Sequence, residues 1–151
     1  MQIIKQSIIF SLFFSILFCL GANSEEKFLS LKKNEANVRY GPGLNYEVKY
    51  IYRKINLPVK LIDKKENFRK IIDLKKNSGW IHWMLLKPSN SIIILEDKIL
   101  FKKPSNFSEP LAKLDKGRLL IIKKCENEWC NISTGKYTGW VKIRNIWGSI
   151  K

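Results

Sequence analysis

Histidine is almost missing from this chain of 151 residues; His82 is the only one. A single imidazole leaves a metal centre without partner ligands and a nucleophile without a general base. The thirteen carboxylates show no paired spacing of the kind that glycoside hydrolysis uses. Beyond residue 20 there is no long apolar run, and no stretch holds a helical period for more than about two turns. Like charges never gather into a block of five or six, which sets aside a nucleic-acid tail. Cysteine is scarce as well, at positions 19, 125 and 130. A metal-dependent, nucleophilic or helical enzyme is therefore not what this composition describes.

What the chain does contain begins with an export leader. Lys5 precedes an apolar run from Ile8 to Leu20, small residues follow at Gly21, Ala22 and Ser24, and Glu25-Glu26 turns acidic. The run is too short for the ~20 residues a bilayer crossing needs, so cleavage is expected, after Ala22 or Ser24. Export predicts a periplasmic or secreted protein, touching the membrane only through an uncleaved leader. Cys125 and Cys130 then form an even pair in an oxidising compartment, and the expected hairpin around Glu126–Glu128 sets them opposite one another as a disulfide. Net charge is +15, mostly from lysine, and it is spread along the chain. It favours acidic partners such as cell-wall carboxylates or anionic headgroups.

A short pattern occurs twice. Gly79-Trp80-Ile81 and Gly139-Trp140-Val141 close the two halves, each about a dozen residues after an aromatic that opens a β-rich run (Phe68 and Trp129). Proline turns lie upstream, at Pro42 and Pro104. A period of about sixty residues reads as two copies of one small β unit. Strands are expected near Ala36–Tyr40, Glu47–Tyr52, Leu57–Lys64, Phe68–Leu74 and Gly79–His82. In the second copy they are expected near Ile92–Leu95, Ile99–Lys102, Leu111–Leu114, Arg118–Cys125, Trp129–Ser133 and Gly139–Lys142. Five or six short strands per copy suit a small closed barrel better than a sandwich. The division expected is a leader over 1–24, one barrel over 25–88 and another over 89–151, joined by the polar link Lys87–Ser91. Trp80 and Trp140 are expected to plug the two barrel interiors.

The segment Asn37-Val38-Arg39-Tyr40-Gly41-Pro42-Gly43-Leu44-Asn45-Tyr46 closely resembles the opening of bacterial SH3-like (SH3b) domains, and Gly79-Trp80 resembles their closure. The second copy keeps Pro104 and Gly139-Trp140 but has lost the Asn, Arg and Gly of the opening. The resemblance implies an all-β protein with two tandem SH3-like barrels, and ligands such as cell-wall peptides or extended protein segments. The acidic motif that polyproline grooves place beside their aromatics is absent from the Tyr40–Tyr46 loop.

Candidate ligand-binding residues are Arg39, Tyr40, Tyr46, Tyr50, Tyr52 and Trp83, the aromatics of the first copy with the cation beside them. Gly41, Pro42 and Gly43 make a stiff loop that either holds a ligand or turns the chain. Arg39 is open to a ligand carboxylate or to an ion pair within its own domain. Neither a catalytic set nor a cofactor or metal is expected. The reading that leads is an exported, non-enzymatic binding module for peptidoglycan or cell-wall peptides. A periplasmic adaptor for an extended segment of a partner protein comes second, and a nucleic-acid or anionic-lipid binder third.

Overall fold

A computed structural model describes residues 26–150. The expected leader over residues 1–24, with Cys19, lies outside the described residues. Fourteen strands occur among them, divided equally between two antiparallel sheets. The first sheet contains β1 (Phe28–Leu31), β2 (Ala36–Arg39), β3 (Val48–Tyr52), β4 (Pro58–Lys65), β5 (Phe68–Ile72), β6 (Ser78–His82) and β7 (Leu86–Pro88). A 3₁₀ turn at Trp83–Leu85 separates the last two. The second contains β8 (Ser91–Ile94), β9 (Lys98–Phe101), β10 (Pro110–Leu114), β11 (Leu119–Glu126), β12 (Trp129–Thr134), β13 (Tyr137–Lys142) and β14 (Ile146–Trp147).

The sheet orders are β3-β2-β6-β5-β4-β1-β7 and β10-β9-β13-β12-β11-β8-β14. They are the same order displaced by seven strands, so the repeat in the sequence is a repeat of topology: two tandem SH3-like units. The hairpins β4–β5 and β11–β12 each turn through two residues, between Lys65 and Phe68 and between Glu126 and Trp129. In both, the first turn residue has a left-handed backbone, Glu66 at φ 47° and Asn127 at φ 53°. Positive φ at that place matches the right-handed twist of the paired strands.

Each unit has its own core. Leu31, Ala36, Val59, Ile71, Ile81 and Leu86 form the first, and Ile92, Ile94, Leu100, Leu114, Leu120, Cys130, Ile132 and Val141 the second. The expectation that Trp80 and Trp140 plug these interiors fails for Trp80, whereas Trp140 is buried. Side chains alternate across a strand, and Gly79 and Ile81 take the inward positions of β6, which turns Trp80 to the outer face. There its cross-strand neighbours are Arg39 and Lys70. On β13 Val141 joins the second core cluster, and Trp140, buried but outside that cluster, packs beneath the Lys124 ammonium, 5.1 Å from the ring centroid. The glycine explains why the pair recurs. A Cβ on Gly79 would meet Val38 Cγ1 at 2.5 Å, and one on Gly139 would meet the Phe101 carbonyl oxygen at 2.6 Å. Only glycine lets the strand cross β2 or β9 so closely.

The two units pack together. The passage from β7 to β8 takes only Ser89 and Asn90, not the longer polar link expected. Ser30, Ser89 and Ser91 are buried at the seam, with Ser30 Oγ 2.8 Å from Ser89 Oγ and 2.6 Å from Ser91 Oγ. The Ser91 hydroxyl donates to the Asn56 carbonyl at 2.6 Å. Trp147, on the last strand of the second unit, donates its Nε1–H to the Pro58 carbonyl at 3.0 Å and meets the Phe28 ring edge-on at 5.1 Å.

Candidate functional site

The candidate residues separate into three places. Arg39, Tyr40 and Tyr46 lie on the β2–β3 connection, which the sequence stiffens at Gly41-Pro42-Gly43. The Tyr46 ring lies so tightly on Gly41 that no side chain fits there. Among the described residues Arg39 meets no carboxylate; its Nη1 donates to the Tyr46 carbonyl at 2.6 Å and braces the loop. The loop closes with Tyr40 N–H donating to the Glu47 carbonyl at 3.2 Å. Lys49 on β3 donates to the Ser78 carbonyl at 3.0 Å and lies 5.5 Å from the Tyr40 ring centroid, within cation–π range. Tyr40 is 63% exposed, Leu44 73% and Tyr46 45%. The result is an apolar, aromatic ledge on a rigid loop with two cations holding it from behind.

Tyr50 and Tyr52 face inward from the same strand and meet edge to face at 5.2 Å. The Tyr52 hydroxyl donates to Asp73 Oδ2 at 3.0 Å. Asp73, which follows β5, is buried and accepts two more bonds, from Asn77 Nδ2 at 3.0 Å and Asn77 N–H at 2.9 Å. Burial raises the pKa of the Tyr52 hydroxyl far above the ordinary tyrosine value, with the Tyr50 hydroxyl and the Asp73 carboxylate adding to it. Tyr50 is raised chiefly by burial, partly offset by its hydrogen bond with Tyr52. Both phenols therefore stay protonated at neutral pH and act as donors.

Trp83 stands apart from both groups. It lies beyond the His82 end of β6, with its N–H donating to the Asn67 carbonyl, whereas Asp73–Asn77 lie beyond the Ser78 end. It borders a shallow cleft of about 230 Å³ with Leu29, Arg69 and Pro88. His82 caps the 3₁₀ turn through Nδ1, which accepts from the Met84 N–H, and packs against the Phe68 ring at 5.2 Å. Among the described residues, no three His, Cys, Asp or Glu side chains gather as a metal site.

Cys125 and Cys130 are disulfide-bonded as expected, directly opposite in the β11–β12 register with Cα atoms 4.0 Å apart. Asp73 and Asn77 escaped the sequence reading. The only local hint is an aspartate four residues before an asparagine at a turn, a pattern in which the carboxylate caps the turn N–H.

The family profile described as bacterial SH3 domain matches the chain twice, over residues 32–88 and 97–148. Among solved structures, NlpC2 from Trichomonas vaginalis is similar at 12% identity and a TM-score of 0.38, covering 85% of this chain and 50% of that one. NlpC1 from the same organism is similar at 12% identity and a TM-score of 0.38, covering 89% and 50%. This chain thus spans about half the length of those proteins. No curated protein matches it.

Proposed function

This chain belongs to the bacterial SH3 domain family, and from that premise we propose that it is an exported, non-enzymatic binding module of the cell envelope whose ligand is peptidoglycan or its peptides. The observation that carries the reading is the ledge on the β2–β3 loop. Tyr40, Leu44 and Tyr46 are exposed together on backbone that Arg39 and Gly41 hold rigid. Aromatic rings on preorganised backbone supply contact area at low entropic cost. The net charge of +15 favours approach to the carboxylates of a cell wall. His82 supports the non-enzymatic side of the proposal, because its Nδ1 caps a turn and its ring is packed.

The test is co-sedimentation of the leaderless chain with purified sacculi at physiological salt. Retention is expected, and Tyr40→Ala with Tyr46→Ala should weaken it about tenfold or more while the circular dichroism spectrum is unchanged. Protein that stays in the supernatant refutes the wall ligand. One observation favours an adaptor as the second reading: β3 is an edge strand with Val48 and Ile51 exposed. An extended segment of a partner could add to that edge. Co-purification with one envelope protein in place of sacculus binding would select it. Affinity that collapses between low and moderate salt would instead select a polyanion such as nucleic acid or an anionic lipid surface.

A further inference from the structure

An open cleft of about 460 Å³ lies at the seam, lined by residues of both units. That volume falls within the roughly 300–1,000 Å³ typical of small-ligand sites, which favour domain interfaces. Its apolar lining comes from both sides, with Leu57 and the Tyr52 ring from the first unit and Ile93 from the second. Lys54 and Lys75 also line it. Neither makes an ion pair among the described residues, as is true of most lysines in the chain, and these two are the cations that line the cleft.

We propose that this cleft is a second binding site, separate from the loop ledge, and that it takes the free carboxylate end of a short apolar peptide. The apolar walls receive the side chains, and the two unpaired ammonium groups receive the carboxylate. Asp73 also lines the cleft; its oxygens accept from Tyr52 and from two donors of Asn77, which fixes the Tyr52 wall, and two lysines against this one carboxylate leave the cleft net positive toward an incoming anion.

The second unit supplies an internal control. The strand registers make Leu114 the counterpart of Tyr52, Ala112 that of Tyr50 and Thr134 that of Asp73. Leu114 belongs to the second core, and Thr134 is buried, its hydroxyl donating to the Leu119 carbonyl at 3.1 Å. The fold closes at these places without phenols or a carboxylate. A partly buried polar network that the architecture does not require, set beside an open cleft, marks a site.

The experiment titrates the leaderless full-length chain with N-acetyl-leucyl-leucine and with its C-terminal amide, followed by amide and side-chain NMR shifts. The acid should move the resonances of Leu57, Ile93 and Asn77, and the amide should bind about tenfold more weakly, a difference of one charge-assisted contact. Lys54→Ala with Lys75→Ala should reduce the acid to the affinity of the amide without changing the melting temperature by more than a degree or two. Tyr40→Ala should leave the titration unchanged, which separates this site from the sacculus ledge. Equal binding of acid and amide overturns the proposal. So do shifts confined to the β2–β3 loop, or no saturation up to about 5 mM.

Discussion

Replacing Trp147 with alanine tests whether the two barrels are one folding unit. The side chain reaches from β14 across the seam, giving a hydrogen bond to the Pro58 carbonyl and an edge-on contact with Phe28. The hydrogen bond contributes about 0.5–1.5 kcal/mol and leaves the carbonyl unpaired when removed. The ring pair adds about 0.5–1.5 kcal/mol. Burial of most of the indole adds about 1–2 kcal/mol more. A loss of about 3 kcal/mol follows, which for a chain of this size lowers the melting temperature by about 10 °C. Trp147→Phe retains most of the ring contact and should cost about 1 kcal/mol. Differential scanning calorimetry is the assay. The unaltered chain should melt in one transition whose calorimetric and van't Hoff enthalpies agree, and Trp147→Ala should lower or split it. A native protein that already melts in two resolved steps, or a variant within about 2 °C of it, would refute coupling through the seam.

Four further outcomes follow from the structure. Because the folded-state pKa values of Tyr50 and Tyr52 are raised above 10.0, the unfolded chain loses those protons first as pH rises. Their contribution is complete below pH 10 and declines above it; chemical denaturation between pH 9 and 11 should show this fall, and Tyr52→Phe should flatten it. Reducing Cys125–Cys130 opens a small loop whose closure entropy is worth about 2 kcal/mol. Urea midpoints with and without reductant should differ accordingly, and Cys125→Ser with Cys130→Ser should match the reduced protein. Gly79→Ala should cost about 1–3 kcal/mol by overpacking against Val38. Trp80→Phe should cost under about 1 kcal/mol, and the 3–5 kcal/mol typical of a truncated core tryptophan, seen for Trp80→Ala, would contradict its outward placement.

Local chemistry was the part of this protein legible in its sequence. The strand runs, the hairpin that faces Cys125 with Cys130, and the sixty-residue repeat all rest on neighbours within a few positions, where alternation and turn residues act. Phe28–Leu31, Leu86–Pro88 and Ile146–Trp147 are strands that no local rule announces. Each is four residues or fewer, and each exists because a distant strand accepts its hydrogen bonds: β1 pairs with β4 and β7, and β14 with β8. The Trp80 assignment failed for a related reason. A large aromatic in a short strand signals burial but not the face that is buried, and the face follows from which neighbour must be glycine for the strands to cross. In the candidate set, clustering along the chain suggested one surface. The fold places Tyr40 and Tyr46 on the ledge, Tyr52 at the seam and Trp83 beyond the other end of β6.

The two units meet the same stability problem differently. A domain of about sixty residues buries only ~60% of its unfolded surface and is marginal alone. The second unit answers with a larger aliphatic cluster and a disulfide beside it, Cys130 lying within the core and Cys125 packed against it. The first unit has the smaller cluster and spends inward positions on Tyr50, Tyr52 and Asp73. Its compensation is external: Ser30, Asn56 and Pro58 all bond across the seam to the second unit or the link leading into it. The unit with the larger apolar core thus holds up one whose interior is partly polar and whose loop aromatics are exposed. On that footing, loss of the disulfide should weaken the first unit through the seam as well as the second directly. Hydrogen exchange can read this, since reduction should lower protection at Ile71 and Ile81 as well as at Ile132. Protection in the first core that is indifferent to the redox state would mean that each barrel stands by itself.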